Sequence, residues 1–291
     1  MPELPEVEVT RRLVEPELVG RRIVDVHTTR PSYFFLTPPR TLRKRLQGRR
    51  CTGLVRHGKY LLAELDDDSR LVLHLGMTGQ LFSSRVSSPR LLSSTARAAL
   101  SPEAQHGFRP DAHTHLRLSF DDGGADLLFR DVRKFGKVRW LAPGQSDARL
   151  DKLGPDALSI DAHHLAQAGA RRVTPVKSLL LDQSVLAGVG NIYADEALFL
   201  AGVRPLRAAR RVRADEWQRI ARALRKVLRR GIATGGSSIS DYVHPDGSDG
   251  GYQNERKVYG LEGEPCASCR TALRRVVIAG RSSCFCPACQ T

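Results

Sequence analysis

The chain has 291 residues, 41% of them hydrophobic, and a formal net charge of +15. The length admits two domains and a small appendage, the apolar fraction excludes global disorder, and the charge is a statement about anionic partners rather than about fold. Nucleic acid is the first partner such a balance predicts, and an anionic membrane surface the second. No stretch approaches the roughly 18 uninterrupted apolar residues of a membrane span. The acidic, proline-rich opening Met1-Pro2-Glu3-Leu4-Pro5-Glu6 is unlike a secretory signal, so the expected location is cytoplasmic.

Residues 6–19 mix apolar and charged positions at helical spacing and predict a helix directly after the N-terminal turn. From about 21 to 140 the pattern changes to short alternating runs, among them 22–26, 60–65, 71–75 and 116–120, separated by Asp/Gly clusters. This reads as an antiparallel β-sandwich. Residues 83–112, rich in Ser, Arg and Ala without a steady period, read as a surface insertion. Ala142-Pro143-Gly144 opens an interdomain linker. Beyond it helices are expected at 161–169, 176–186, 194–201 and 214–231, the last ending in Arg229-Arg230-Gly231. Between Arg204 and Arg230 stand 11 basic and 2 acidic residues, which fits a solvated helical face and a phosphate-contacting one equally. The Gly-, Ser- and Asp-rich stretch 235–260 holds Tyr242, Tyr252 and Tyr259 and is too long for a plain connector.

Four of the six cysteines form two CxxC pairs, Cys266/Cys269 and Cys286/Cys289, with 16 residues between them. That spacing reads as one tetrahedral four-cysteine zinc site, with disulfides or unbound thiols as the alternatives. Four thiolates leave no open coordination position, so the expected cofactor is one structural Zn²⁺. It would fold a module too short to bury a core of its own. Cys284 does not fit the spacing and reads as a packing residue.

The N-terminus carries a further chemical hint. A small residue after Met1 permits removal of the initiator, which exposes the secondary amine of Pro2. An α-amine titrates near ~7.7–8.0 against ~10.4 for lysine, so a useful fraction is a free nucleophile at neutral pH. Glu3 is then adjacent to whatever reacts with that amine and suits a general acid, with Glu6 nearby at the start of the helix. The basic residues divide into 38 Arg and 8 Lys, so a retained lysine such as Lys59 or Lys177 hints at a role for a compact, titratable amine.

The opening run through Glu8 resembles that of the formamidopyrimidine-DNA glycosylases, bacterial enzymes that excise oxidised purines such as 8-oxoguanine. The resemblance continues through Gly58-Lys59-Tyr60-Leu61-Leu62, His74-Leu75-Gly76-Met77-Thr78-Gly79 and Asp131-Val132-Arg133-Lys134-Phe135-Gly136. It then takes in Gly188 to Glu196, Val258-Tyr259-Gly260 and the zinc knuckles. It implies an α+β multi-domain fold: an N-terminal helix and antiparallel β-sandwich (1–142), a helical helix–two-turns–helix domain (143–234), a lesion-capping loop (235–261) and a four-cysteine zinc ribbon (262–291). It also implies a glycosylase and abasic-site lyase working on double-stranded DNA as a monomer, in a bacterial cytoplasm at the nucleoid.

Residue by residue, the resemblance gives Pro2 as nucleophile, Glu3 as general acid, and Lys59 to the β-elimination step and the phosphate beside the lesion. Arg281, five residues before Cys286, matches an arginine that binds flanking phosphates and is credited with a role in δ-elimination. Met77, Arg133 and Phe135 match wedge positions that fill the space of a flipped nucleotide, with an ordinary core as the rival reading of Met77 and Phe135. His113, Arg172, Lys177 and Asn191 match DNA contacts, and for the first three a solvated surface is the rival. Ser237, Ser238, Ile239 and Tyr242 fall in the loop that closes over the lesion and offers it backbone N–H groups. Three departures stand out: the longer 83–112 insertion, Gln253 where Phe is usual, and Leu261 where Arg is usual. The last two put lesion preference in doubt. The rival functions are an endonuclease VIII-like enzyme for oxidised pyrimidines and a non-catalytic DNA-binding zinc protein. Leu4 and the Met77, Arg133, Phe135 set argue against the former, and the coexistence of Pro2, Glu3 and Lys59 against the latter.

Overall fold

The structure is a computed structural model and describes residues 1–86, 110–239 and 242–291. Most of the expected 83–112 insertion lies outside the described residues. The chain forms two compact units: Met1–Asp147 with Gly235–Gly251, and Ala148–Thr234 with Tyr252–Thr291. The division therefore cuts the 235–261 stretch at Gly251/Tyr252.

The first unit opens with helix α1 (Leu4–Leu18), two residues earlier than the periodicity indicates, because Glu3 is extended and the Glu6 carboxylate accepts the Glu3 N–H at 2.8 Å. Among the described residues eight strands follow: β1 (Ile23–Thr28), β2 (Cys51–His57), β3 (Tyr60–Leu65), β4 (Arg70–His74), β5 (Gly79–Ser83), β6 (Thr114–Phe120), β7 (Leu127–Asp131) and β8 (Lys137–Leu141). They pair antiparallel in two four-stranded sheets, ordered β1-β6-β7-β5 and β2-β3-β4-β8. One core holds the inward residues of both sheets, including Leu61 and Leu73 from one and Leu118 and Phe129 from the other. This is the expected sandwich. Helix α2 (Pro39–Leu46) was not expected, since it shows the sequence only two core positions, Leu42 and Leu46, one turn apart. Its start is set by Pro38-Pro39, a proline pair suited to a first helical turn.

The second unit contains α3 (Ala162–Gly169), α4 (Val176–Leu181), α5 (Asn191–Ala201) and α6 (Ala214–Ala233), then a hairpin of β9 (Arg274–Ile278) and β10 (Arg281–Phe285). Helix α4 stops at Leu181, short of the expected 186. There the Asp182 carboxylate takes the Ser184 N–H at 3.0 Å and hydroxyl at 2.6 Å, a local turn that competes with the helix. Helix α6 buries Trp217, Ile220, Leu224 and Leu228 at helical spacing and packs against α3 and α5. Among the described residues no helix is long and apolar enough to cross a membrane.

Candidate active site and nucleic-acid interface

In the first unit Pro2, Glu3 and Glu6 are buried, while Met1 is 47% exposed. Glu6 is the junction of the local geometry. One carboxylate oxygen holds the Glu3 N–H and the other accepts the Ser237 N–H at 2.8 Å, while the Glu6 carbonyl accepts the Tyr242 hydroxyl at 3.0 Å. A single side chain thus joins the N-terminal segment to the 235–251 loop. Within that loop Gly250 N–H donates to Ser238 Oγ at 2.9 Å and Ile239 stays exposed. Burial raises the Tyr242 phenol well above its ordinary value, so it acts as a neutral donor. The Ser237 hydroxyl is buried without a partner among the described residues. The expectation that this loop presents its N–H groups to a base needs refining, because the Ser237 N–H is already engaged by Glu6.

Lys59 occupies the second position of the two-residue turn between β2 and β3. The register pairs His57 with Tyr60, and Gly58 adopts φ +57°, which matches a type II′ hairpin turn. Hairpin tips normally face water, yet Lys59 is only 7% exposed. The turn is tied back to α1. Arg56 donates to the Gly58 carbonyl at 3.0 Å and to Glu8 Oε2 at 3.1 Å. Burial opposes ionisation of Glu8, but hydrogen bonds from Arg11, Arg12 and Arg56 hold its carboxyl below the ordinary range. Glu8 and Arg56, which sequence reasoning passed over, are therefore what relates the Lys59 turn to the helix bearing Pro2 and Glu3.

Met77 is half-buried, whereas Arg133 and Phe135 are exposed, Phe135 at 43%. The Arg133 guanidinium lies 4.7 Å from the Phe135 ring centroid. Tyr33, also exposed, donates to the Arg133 carbonyl at 2.8 Å. A large apolar ring left in water beside a cation is not a core residue, so the core reading fails for Phe135. His113 is half-buried at the start of β6, its carbonyl accepting the Asp131 N–H at 2.9 Å.

In the second unit Arg172 is half-exposed and paired with Asp182 at 2.8 Å. Lys177, expected at a DNA contact with a solvated surface as the rival reading, is not on a solvated surface. It is fully buried, 2.7 Å from Asp195 Oδ1, and donates to the Ser282 carbonyl at 3.0 Å. Its charge is satisfied inside the unit, so the solvated-surface reading fails. Asn191 Nδ2 likewise donates to the Ser282 carbonyl at 3.0 Å. Asp195 completes the anchor by accepting the Ser283 hydroxyl at 2.6 Å and the Cys284 N–H at 3.1 Å. These residues fix β10, whose first residue, Arg281, is exposed and has no side-chain partner among the described residues. Glu196 accepts the N–H groups of Lys257, Val258 and Tyr259. The acidic end of the Asn191–Glu196 motif is thus scaffolding for the two segments that follow in sequence, a role its residue types alone do not reveal.

The basic run is partly neutralised. Arg207 pairs with Glu216, Arg213 and Arg219 with Asp215, and Arg230 with Glu255. Arg222, Arg225, Lys226 and Arg229 line one groove of 570 Å³ along α6, and no carboxylate pairs with them among the described residues.

The sulfurs of Cys266, Cys269, Cys286 and Cys289 all lie within 4.8 Å of one another, with Cys266–Cys289 at 3.9 Å and Cys269–Cys286 at 3.4 Å. Ligands at ~2.3 Å around a tetrahedral zinc stand about 3.8 Å apart, so the four thiolates fit one ion. The Ser268 and Cys289 N–H groups point at Cys266 Sγ and Cys286 Sγ, as turns that stabilise thiolates do. Cys284 packs with Val258, Cys266, Leu273 and Cys286 and is not a ligand.

Comparison with known proteins agrees with this arrangement. Family models match at residues 1–138 (formamidopyrimidine-DNA glycosylase N-terminal domain), 153–243 (formamidopyrimidine-DNA glycosylase H2TH domain) and 263–291 (a zinc finger found in FPG and IleRS). The formamidopyrimidine-DNA glycosylase of Dinoroseobacter shibae is 42% identical with both chains fully covered, and that of Solibacter usitatus 40% identical with 100% of this chain and 99% of the relative covered. Among solved structures, MutM (Fpg) from Thermus thermophilus superposes with a TM-score of 0.82 at 38% identity, covering 99% of this chain and 98% of that one. A point mutant of Lactococcus lactis FPG, solved with Fapy-dG-containing DNA, gives 0.84 at 33% identity over the whole of both chains. Wild-type Lactococcus lactis FPG, solved with DNA containing an oxidised pyrimidine, gives 0.84 at 32% identity, again over the whole of both chains. The sandwich, the helical unit and the four-cysteine hairpin define a zinc-bearing DNA-repair glycosylase. The chain belongs to the formamidopyrimidine-DNA glycosylase family, and it carries that family's one structural zinc site.

Proposed function

We propose that this protein is a bifunctional DNA glycosylase and abasic-site lyase that removes oxidised purines, 8-oxoguanine and formamidopyrimidines, from duplex DNA. The observation that carries the reading is the sharing of Glu6 between the Glu3 and Ser237 N–H groups, which gathers the N-terminal segment and the 235–251 loop around one carboxylate. Once Met1 is removed, the Pro2 nitrogen lone pair attacks C1′ of the damaged nucleotide. The glycosidic bond breaks, and the base leaves with its electron pair and takes up the proton that the Pro2 nitrogen sheds. Glu3 donates a proton to the sugar ring oxygen as the C1′–O4′ bond opens, leaving an iminium on Pro2. That electron sink acidifies the C2′ hydrogens. β-Elimination expels the 3′ phosphate with Lys59 alongside, and δ-elimination expels the 5′ phosphate with Arg281 alongside. Hydrolysis of the remaining iminium frees the amine.

Flipping a nucleotide from the stack costs a few kcal/mol, which Met77 and Phe135 offset by filling the vacated space while Arg133 pairs with the orphaned base. The exposure of Phe135 beside Arg133 supports that assignment. Arg172, Asn191, His113 and Arg281 contact phosphates. Lys177 supports them indirectly by holding β10. Ser237, Ser238, Ile239 and Tyr242 belong to the loop that covers the lesion. A second substrate class, oxidised pyrimidines, is favoured by the Lactococcus lactis FPG structure solved with such DNA.

Incubation with duplexes carrying 8-oxoguanine, an oxidised pyrimidine or an abasic site, followed by borohydride, separates the readings. The proposal expects a trapped covalent adduct on the 8-oxoguanine duplex. An adduct confined to the pyrimidine lesion supports the second class, and binding without any adduct overturns both.

A further inference from the structure

Two turns carry the residues assigned to the wedge: Leu75 to Gly79 with Met77, and Asp131 to Gly136 with Arg133 and Phe135. In this structure they are one assembly. Asp131, the last residue of β7, is completely buried, and its carboxylate points across to both turns. One oxygen accepts the Thr78 hydroxyl at 2.5 Å and the Arg133 N–H at 3.2 Å, and the other accepts the Gly136 N–H at 2.6 Å. The Thr78 oxygen in turn accepts the Arg133 N–H at 3.1 Å, so Thr78 and Asp131 share that donor. The Asp131 main chain is held as firmly. Its N–H donates to the His113 carbonyl, and its carbonyl accepts from His115 Nε2 at 2.9 Å. Burial keeps His115 below the ordinary imidazole range, and since a carbonyl only accepts, the Nε2–H is the donor.

The packing between the turns is equally constrained. Gly76 adopts φ +66°, and any Cβ there would strike Phe135 and Gly136. Lys134, between the two exposed residues, sits at φ +58°, a conformation costly for a residue with a side chain and kept only where the surroundings over-determine it. The hydrogen bonds to Asp131 on either side of Lys134 supply that constraint.

We infer that Asp131, through Thr78, is the positioning residue that locks the Met77 turn and the Arg133–Phe135 turn into a single rigid wedge for opening duplex DNA. It touches no substrate. It converts two flexible turns into one element whose three side chains enter the helix in fixed relation. This rests on the wedge assignment made above and deepens it. A carboxylate is needed because all three groups facing it are donors. Asparagine can accept from some of them but must present its own N–H₂ to another, leaving one donor opposed by a donor. Displacements of the order of 1 Å at a positioning element cost about a hundredfold in rate.

The test uses the difference between duplex and single-stranded DNA, because a wedge acts only where a base must leave a stack. Wild-type protein and the variants Asp131→Asn and Thr78→Val are compared in single-turnover excision from an 8-oxoguanine duplex and in borohydride trapping on a single-stranded oligonucleotide with an abasic site. Melting temperature and zinc content are measured alongside. The inference expects duplex excision to fall about tenfold or more in Asp131→Asn, with single-strand trapping within about twofold of wild type. Thr78→Val, which removes one hydroxyl and leaves the carboxylate in place, shows the same split to a smaller degree. Adding Phe135→Ala to Asp131→Asn costs little more, since the wedge is already lost. Equal losses on both substrates in both variants mean a plain folding role and overturn the inference, as does undiminished duplex excision. Wild-type protein that traps on neither substrate refutes the proposed function instead, and the inference falls with it.

Discussion

Replacing Glu6 with glutamine tests the junction on which the active-site geometry depends. The carboxylate accepts two buried backbone donors, the Glu3 N–H and the Ser237 N–H, each at 2.8 Å. Glutamine keeps one acceptor oxygen and turns the other position into a donor, so one of the two hydrogen bonds is replaced by opposed N–H groups. A hydrogen bond to a charged acceptor contributes about 1.5–3 kcal/mol. At roughly 2–4 °C per kcal/mol for a unit of this size, melting of the first unit should fall by roughly 3–12 °C. The loss should be concentrated in the 235–251 loop, because Glu3 keeps its place at a helix start while the Ser237 N–H loses the Glu6 carboxylate that ties it to α1. Native-state amide exchange followed by mass spectrometry should therefore show the peptide containing Ser237 exchanging about 10–100-fold faster, with peptides of β3 and β4 unchanged. Unchanged exchange at Ser237 together with unchanged melting would refute the assignment of Glu6 as the link between the N-terminal segment and the loop.

Other consequences follow from the same geometry. Glu8 has its pKa lowered from 4.5, so its contribution to stability is fully present above that value and is lost as the pH falls through the lower folded value. The stability gap between wild type and Glu8→Gln in urea unfolding should shrink below pH 4.5, and a gap that widens there contradicts the Arg11, Arg12 and Arg56 arrangement. Removing zinc with a chelator, or changing Cys269 to Ala, should unfold the β9–β10 hairpin and abolish tight DNA binding, with metal analysis of the native protein giving one zinc per chain; a zinc-free chain that keeps amide protection in β10 would argue against a structural metal. Arg281→Ala should reduce the slope of log binding constant against log salt by about one, and an unchanged slope removes Arg281 from the phosphate contacts.

The parts of this protein readable from sequence are those in which chemistry dictates spacing. Four thiolates around one ion require two tight CxxC turns, and the sulfurs do converge. Alternating strands between Asp/Gly turns announce a sandwich because a one-residue slip would expose its core. What was not readable depends on partners distant in the chain. Lys177 stands out in the sequence as a retained lysine, but its partners show only when Asp195 and, 105 residues away, the Ser282 carbonyl are seen to enclose it. Glu6 meets Ser237 across 231 residues, and no local pattern encodes that pairing. Arg56 is one arginine among many in an arginine-rich chain, and only its hydrogen bonds to Glu8 and Gly58 single it out. Helix α2 escaped because eight residues with two buried leucines carry too little periodicity to rise above the strands around it.

The central claim is that the N-terminal amine of Pro2 is the nucleophile. In a chain that retains Met1 that nitrogen is an amide with no lone pair free to attack. Two preparations, one shown by intact mass to lack Met1 and one retaining it, are to be trapped with borohydride on 8-oxoguanine and abasic duplexes, and the adduct mapped by peptide mass spectrometry. The account predicts an adduct on the Pro2 nitrogen in the first preparation and none in the second, with damaged DNA still bound by both. An adduct on Lys59 or any other lysine, or equal trapping by the chain that keeps Met1, would contradict it.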